Sequence, residues 1–181
     1  ADTALNPAKS IEDILGRPLT FYHGMRGKAR DARIDQLLDM VKLPRSVRHR
    51  HPSGLSGGQK QRVNFARALA AEPSLIICDE ITSALDTVVA AAIIDLLGEL
   101  QRELNLSYIF ISHDLSVVET ICDEIVVMYG GQKVEHLATE AIKSPTHPYS
   151  KLLFSSVPKL DPKWLDNLQQ DAELVRAFSK R

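Results

Sequence analysis

The chain has 181 residues, 44% hydrophobic and 25% charged, with a formal net charge of −1. That is enough apolar material for a domain with a core, and it excludes collagen-like and broadly disordered classes. No run reaches the roughly 20 apolar residues of a membrane-spanning helix, because Asp79, Asp95 and Glu99 interrupt the longest stretches. The charge is unevenly placed. Between Arg26 and Arg67 there are eleven Lys or Arg against three Asp, and between Ala68 and Glu140 two basic residues against thirteen acidic ones. Solvated helical faces account for such a pattern, and a surface for an anionic ligand is the sharper alternative. Cys78 and Cys122 both lie in apolar runs, which points to buried thiols in a reducing compartment.

In chain order, Ser10 and Asp13 have the spacing of a helix capping box. Ile11, Ile14 and Leu15 follow at helical spacing until Arg17-Pro18, where the helix is predicted to end. After a loop with Gly24 and Gly27, Ile34, Leu37, Leu38 and Val41 recur at i, i+3, i+4 and i+7, an amphipathic helix closed before Pro44. Arg45 to Pro52 reads as a basic, His-containing loop. A third helix is predicted from Gly57 to about Ala71. Leu75 to Cys78 is a short apolar run stopped by Asp79-Glu80, the pattern of a buried parallel strand.

Asp86 is placed to cap a long helix with Val89, Ile93, Leu96, Leu97, Leu100 and Leu104 on one face. Tyr108 to Ile111 is a second buried strand, ending at Ser112-His113-Asp114. A short helix carries Leu115, Val118 and Ile121. Ile125 to Met128 is a third strand, and Gly130-Gly131 suits a turn. Strands alternating with helices predict an α/β architecture with a mainly parallel sheet, preceded by a helical portion of about 70 residues. Asp161 to Arg181 is polar, with Trp164, Leu168, Leu174 and Phe178, and reads as a loosely docked helix.

Four segments carry candidate chemistry. Ser56-Gly57-Gly58-Gln59 opens the third helix. Adjacent glycines let backbone amides approach a ligand, Ser56 adds a hydroxyl, and the helix N-terminus favours phosphate, with Lys60 and Arg62 of matching sign. Asp79-Glu80 follows a buried strand, where α/β sheets bind ligands. An Asp there can hold Mg²⁺, usually through water, and the neighbouring Glu can deprotonate an attacking water. His113, past the end of another strand, can donate to a phosphoryl oxygen. Ser83 to Asp86 lies just beyond the acidic pair. Taken singly, each is an ordinary feature: a Gly-containing helix start, a solvated acidic strand end, a structural histidine and a helix cap.

Together they read LSGGQKQR (Leu55 to Arg62), NFARAL (Asn64 to Leu69), LIICDEITSALD (Leu75 to Asp86) and ISHDL (Ile111 to Leu115). In order and spacing this resembles the nucleotide-binding subunit of ATP-binding cassette (ABC) transporters, over about Leu5 to Pro158. The resemblance implies the P-loop NTPase fold of ABC ATPases in incomplete form, a helical subdomain plus the C-terminal part of the sheet. It implies ATP and Mg²⁺ as cofactors. Ser56, Gly57, Gly58 and Gln59 would be the signature motif facing ATP held by the opposite subunit. Asp79 would be the Walker B carboxylate at the metal, Glu80 the catalytic base, Asp86 part of the nucleotide-proximal D-loop, and His113 the catalytic switch histidine. Ile81 stands where the family usually has Pro. Implied partners are a second nucleotide-binding subunit and transmembrane permease subunits, with a solute-binding protein engaged indirectly and no nucleic acid. The implied location is the cytoplasmic face of the plasma membrane.

The implied division is 1–62 for the post-Q-loop segment and helical subdomain, 63–138 for the C-terminal part of the core, and 139–181 for the tail. Thr146-His147-Pro148-Tyr149-Ser150, with Leu152-Leu153 and Val157-Pro158, resembles the C-terminal motif of oligopeptide, dipeptide and nickel importer ATPases. Ala4-Leu5-Asn6-Pro7 resembles the segment those ATPases carry after the Q-loop. By chemistry alone the tail motif is a Pro-bounded turn feeding a short helix.

The largest departure is that G-x-x-x-x-G-K-[ST] occurs nowhere in the chain. Gly24 to Ala29 has the wrong spacing and no preceding apolar strand. The sequence therefore resembles the C-terminal part of a larger subunit. The parent is expected to hydrolyse ATP and this chain alone to do so poorly or not at all, since the P-loop cradles the β- and γ-phosphates. In the family fold the P-loop strand lies between the strands matching Tyr108 to Ile111 and Ile125 to Met128, so apolar surface is expected to be exposed. Two alternatives stay open: a soluble ABC ATPase acting on nucleic acid or ribosomes, suggested by the basic Arg45 to His51, and a non-catalytic module acting in trans.

Overall fold

The structure, a computed structural model, describes residues 4–83 and 85–156. They fall into two compact units divided after Ser112.

The first unit opens with a helical layer. Helix α1 (Ile11–His23) starts at Ser10, whose Oγ accepts from the Asp13 amide. It runs through Pro18 and stops at Gly24, which takes the left-handed conformation that lets the last carbonyls be capped. The predicted stop at Pro18 is thus too early. One lost backbone donor is offset here by burial of Leu19 beyond it, at 0% exposure. Helix α2 (Gly27–Met40) buries Ile34, Leu37 and Leu38. The basic loop forms two 3₁₀ turns, Arg45–His49 and Pro52–Gly54. Helix α3 (Gly57–Leu69) buries Val63, Phe65, Ala66 and Leu69, and packs on α1 and α2.

Strand β1 (Leu75–Asp79) then pairs in parallel with β2 (Ser107–Ile111), in register Leu75 to Ser107 through Asp79 to Ile111. Between them runs α4 (Thr87–Leu104), capped by the Asp86 carboxylate accepting from the Val89 amide. It buries Ile93, Ile94, Leu96, Leu97 and Leu100. Tyr108 Oη donates to the Leu97 carbonyl at 3.2 Å, and burial, with Cys78 nearby, pushes the phenol up to about 12. On the other face of this strand pair Leu75, Ile77, Ile109 and Ile111 are exposed, which agrees with the expected uncovered apolar surface.

The second unit holds α5 (Leu115–Ile121) and a hairpin of β3 (Glu124–Tyr129) and β4 (Gln132–Ala138), turned at Gly130-Gly131. Val118, Ile125, Val127 and Ile142 form its core, with Tyr149, Leu153 and Phe154 packed against them. The hairpin adds a strand that the sequence pattern did not predict. Among the described residues the parallel pair is β1–β2, whereas β3 pairs antiparallel with β4. Strand β4 is invisible to a search for apolar runs, because Lys133, Glu135 and His136 interrupt it. It is a half-exposed hairpin strand that needs no continuous apolar run.

The tail motif is bound to that hairpin. Glu135 accepts from the Thr146 amide at 2.6 Å, the Thr146 hydroxyl at 2.7 Å and the His147 amide at 3.3 Å. Helix α6 (Pro148–Ser155) follows, with His147 Nδ1 accepting from the Tyr149 amide and the Tyr149 ring 4.4 Å from that of Tyr129. The predicted Pro-bounded turn feeding a short helix is therefore present. The predicted helix over Asp161 to Arg181, with Val157-Pro158 before it, lies outside the described residues. Both cysteines are free thiols, Cys78 buried and Cys122 partly so.

Candidate functional site

In the first unit the N-terminus of α3 meets the segment that follows β1. Ser56 caps α3 reciprocally with Gln59: its Oγ accepts from the Gln59 amide at 3.3 Å, and Gln59 Oε1 accepts from the Ser56 amide at 3.0 Å. This satisfies two of the backbone donors at the helix start and leaves the Gly57 and Gly58 amides in the first turn, where helices lack internal acceptors. Ser56 and Gly57 are exposed, and Gly58 and Gln59 partly so. The glycines also allow close packing. A Cβ on Gly57 would lie 3.3 Å from Leu85 Cδ2, and one on Gly58 2.6 Å from Val89 Cγ1.

Asp79 ends β1, and Glu80 begins the turn after it; both are exposed. Glu80 has φ +46°, a left-handed conformation uncommon for a residue with a Cβ. The turn is held from several sides. The Glu80 amide donates to Ile111 O at 2.9 Å, and the Ser83 hydroxyl donates to Glu80 O at 2.9 Å. Gln61 Nε2, on the buried side of α3, donates to Ile81 O at 2.8 Å. Ser56 to Gln59, Asp79, Glu80 and Asp86 thus belong to one unit, and the glycine end of α3 sits against the segment that leads from Glu80 into α4.

His113 opens the second unit and is exposed. It lies beside Asp114, whose carboxyl is held below its usual range, first by the hydrogen bond from the Ser116 hydroxyl and, among smaller effects, by the His113 charge. Sequence reasoning gave Gln61 no role. It sits inside LSGGQKQR, but only its burial separates it from the other polar residues of that run.

The site suits a phosphate ligand and a hard cation in a limited way. Unused first-turn amides at a glycine-rich helix start favour an anion. Among the described residues no cluster of three or more His, Cys, Asp or Glu could hold a metal. A lone strand-end carboxylate fits Mg²⁺ when water and substrate phosphates supply its other ligands, which is how Mg²⁺ is usually bound.

The basic stretch Arg45 to His51 is largely neutralised within the protein. Arg45 pairs with Asp39, Arg48 with Glu12, Asp31 and Asp35, and His49 Nδ1 lies 3.6 Å from Glu12. Two of its three arginines are thus paired within the protein, which weakens the ground for the nucleic-acid alternative.

A family model described as ABC transporter matches residues 1–83. The chain is 46% identical over 160 residues to the dipeptide transport ATP-binding protein DppF of Haemophilus influenzae, covering 88% of this chain and 49% of that protein. It is 48% identical over 163 residues to the oligopeptide transport ATP-binding protein OppF of Salmonella typhimurium, covering 88% and 48%. Among solved structures it is similar to the dimeric ATP-binding cassette MJ0796 bound to ADP and Pi. That match has a TM-score of 0.66 at 33% identity and covers 75% of this chain and 59% of that one.

The architecture is that of an ATP-binding cassette, the P-loop NTPase fold. By sequence and by fold the chain is similar to the ABC transporter family. It spans about half the length of the curated relatives it matches.

Proposed function

We propose that this chain is part of the ATP-binding and hydrolysing subunit that powers an ABC importer of dipeptides or oligopeptides. The observation that carries this is the similarity, over most of the chain, to proteins named for dipeptide and oligopeptide transport. The bound form of the Thr146 to Ser150 turn adds a second, structural reason to treat the tail as a built element.

In this reading Ser56, Gly57, Gly58 and Gln59 present amides and a hydroxyl to the γ-phosphate of ATP held by a second nucleotide-binding subunit. Asp79 holds Mg²⁺ through water. The ion supplies charge neutralisation on the β- and γ-phosphate oxygens when bound. Glu80 takes the proton of the attacking water. His113 donates to a γ-phosphate oxygen as charge develops there, and Asp86 sits in the loop at the subunit boundary. Residues 1–62 are the helical subdomain, 63–138 the C-terminal part of the core, and 139–181 the tail. Permease subunits at the cytoplasmic membrane face receive the closing motion, and the phosphate cradle comes from sequence outside this chain.

The test is hydrolysis of Mg-ATP by the full-length protein and its Glu80→Gln variant. The variant is expected to lose about 10²-fold or more in kcat while still binding ATP, the contribution typical of a general base. Unchanged turnover would remove Glu80 from the mechanism. Absence of hydrolysis in the unsubstituted full-length protein with its permease would overturn the function.

A further inference from the structure

We propose that Gln61 is a positioning residue that ties the first turns of α3 to the turn carrying Glu80 and Ser83, so that the LSGGQ glycines and the acidic pair move as one body. This rests on the reading that both segments serve ATP hydrolysis.

Gln61 is only 7% exposed, and its amide donates across 20 positions of sequence to Ile81 O at 2.8 Å. Ile81 follows directly on Glu80. The +46° φ of Glu80 is kept only where the surroundings over-determine it. Bonds that do so include Glu80 N to Ile111 O, Ser83 N and Ser83 Oγ to Glu80 O, and Gln61 Nε2 to Ile81 O. The first ties the turn to the end of β2, and the Ser83 bonds are internal to the turn. The Gln61 bond comes from the helix that bears the glycines.

The seam beside it is tight. A Cβ on Gly58 would stand 2.6 Å from Val89 Cγ1, so the helix start lies close against the first turn of α4. The site needs an N–H donor at the end of a side chain of this length. An apolar residue of similar volume would fill the space and leave Ile81 O without its partner. A bond placed this way transmits a displacement of the glycines to the Glu80 carboxylate, and the reverse. A glutamine that only filled space would not.

The test uses the full-length protein with Gln61→Met, which keeps length and packing and removes the donor, and Gln61→Glu, which keeps polarity and removes the donor. Both are expected to lower kcat for Mg-ATP about tenfold, the effect of one ordinary neutral hydrogen bond, with KM within about twofold of wild type. Amide exchange over residues 80–86 is expected to speed up by a similar factor, with exchange over 27–40 unchanged and the melting temperature lowered by no more than a few degrees. Wild-type kcat and wild-type exchange in the Met variant would overturn the proposal. So would exchange faster by the same factor throughout α1 to α4, which would mark a purely structural role. If the unsubstituted protein shows no hydrolysis, the functional reading fails, and the exchange comparison alone decides whether Gln61 holds the turn.

Discussion

Gly58 of the α3 first turn lies so close to Val89 of the α4 first turn that a methyl group on the glycine would stand 2.6 Å from Val89 Cγ1. Val89 is β-branched and has essentially one χ1 state in a helix, so it cannot swing aside. Gly58→Ala gains up to about 1 kcal/mol of helix propensity but overpacks the seam at about 1–3 kcal/mol, so net destabilisation is expected. Gly57→Ala meets Leu85 Cδ2 at 3.3 Å, the end of a flexible side chain, and should come out near neutral. Urea unfolding of both variants checks this, together with the Gly58→Ala, Val89→Ala pair. The pair should recover part of the loss, because contacting residues couple. Additive losses would show that Val89 is not the obstacle.

Arg48 joins three elements. Its side chain is 15% exposed and reaches Glu12 of α1 and Asp31 and Asp35 of α2, all at 3.2–3.3 Å. The hydrogen bond with Glu12 leads the effects that raise its pKa, so it stays charged at any ordinary pH. Arg48→Met would take a partner from Asp35 and leave Glu12 and Asp31 to share Arg30, and should cost about 2–3 kcal/mol in chemical denaturation. Arg48→Lys should recover only a fraction, since an ammonium cannot fork to three acids. The exposed Arg45–Asp39 pair supplies the contrast, and Asp39→Ala should leave the unfolding midpoint where it is. Equal effects at Arg48 and Asp39 would count against the network.

Much of this was legible in the sequence, for reasons that differ by element. Helix α2 follows from apolar spacing, α4 from apolar spacing and the cap at Asp86, and α3 from its glycine-containing start; the Ser56 cap shows only in the structure. Strands β1 and β2 follow from short apolar runs with polar stops, and the family follows from LSGGQ, the acidic pair and His113 in one order. What stayed hidden depends on three-dimensional context. Pro18 reads as a stop, but tertiary burial of Leu19 outweighs the lost donor. Strand β4 carries mixed polarity because only one face of its hairpin is covered. The basic loop keeps a nucleic-acid alternative open in sequence because the acidic partners of Arg45 and Arg48 lie 6 to 36 residues away. Gln61 is a polar helical residue in any one-dimensional reading, and only the Ile81 carbonyl above it gives it a task.

The β1–β2 pair exposes Ile77 at 63%, Ile109 at 48% and Ile111 at 50% on one face. Adjacent apolar residues at this exposure should bind a hydrophobic dye and promote self-association of the 181-residue chain. Ile77→Thr with Ile109→Thr keeps β-propensity and removes apolar area. It should lower dye fluorescence severalfold and reduce light scattering, with a stability change within about 0.5 kcal/mol, as for surface substitutions. A loss of several kcal/mol in the same double variant would mean that this face is covered in the folded chain.

Glu135 makes the stability of the second unit depend on pH in a predictable direction. Its carboxyl is lowered from an ordinary 4.5 to about 2, first by the Ser150 hydroxyl and then, against burial, by the Thr146 amide, the Thr146 hydroxyl and the His147 amide. Ser150 Oγ and Glu135 Oε2 are both buried, and neither completes a well-formed hydrogen bond. The Thr146 and His147 bonds, with good distances, are the more secure part of the cause. A folded-state pKa below the unfolded one means the stabilisation is fully present above about pH 5. It is lost as the pH falls from there towards 2. Glu135→Gln should therefore be less stable than wild type by roughly 1–2 kcal/mol at pH 7, the scale of hydrogen bonds to a charged acceptor in a partly exposed site. The gap should narrow below pH 5 and close near pH 2. Unfolding monitored at Tyr129 and Tyr149, which pack together beside this turn, reports the local event. A gap that stayed constant from pH 7 to pH 3 would mean that Glu135 acts through its shape rather than its charge.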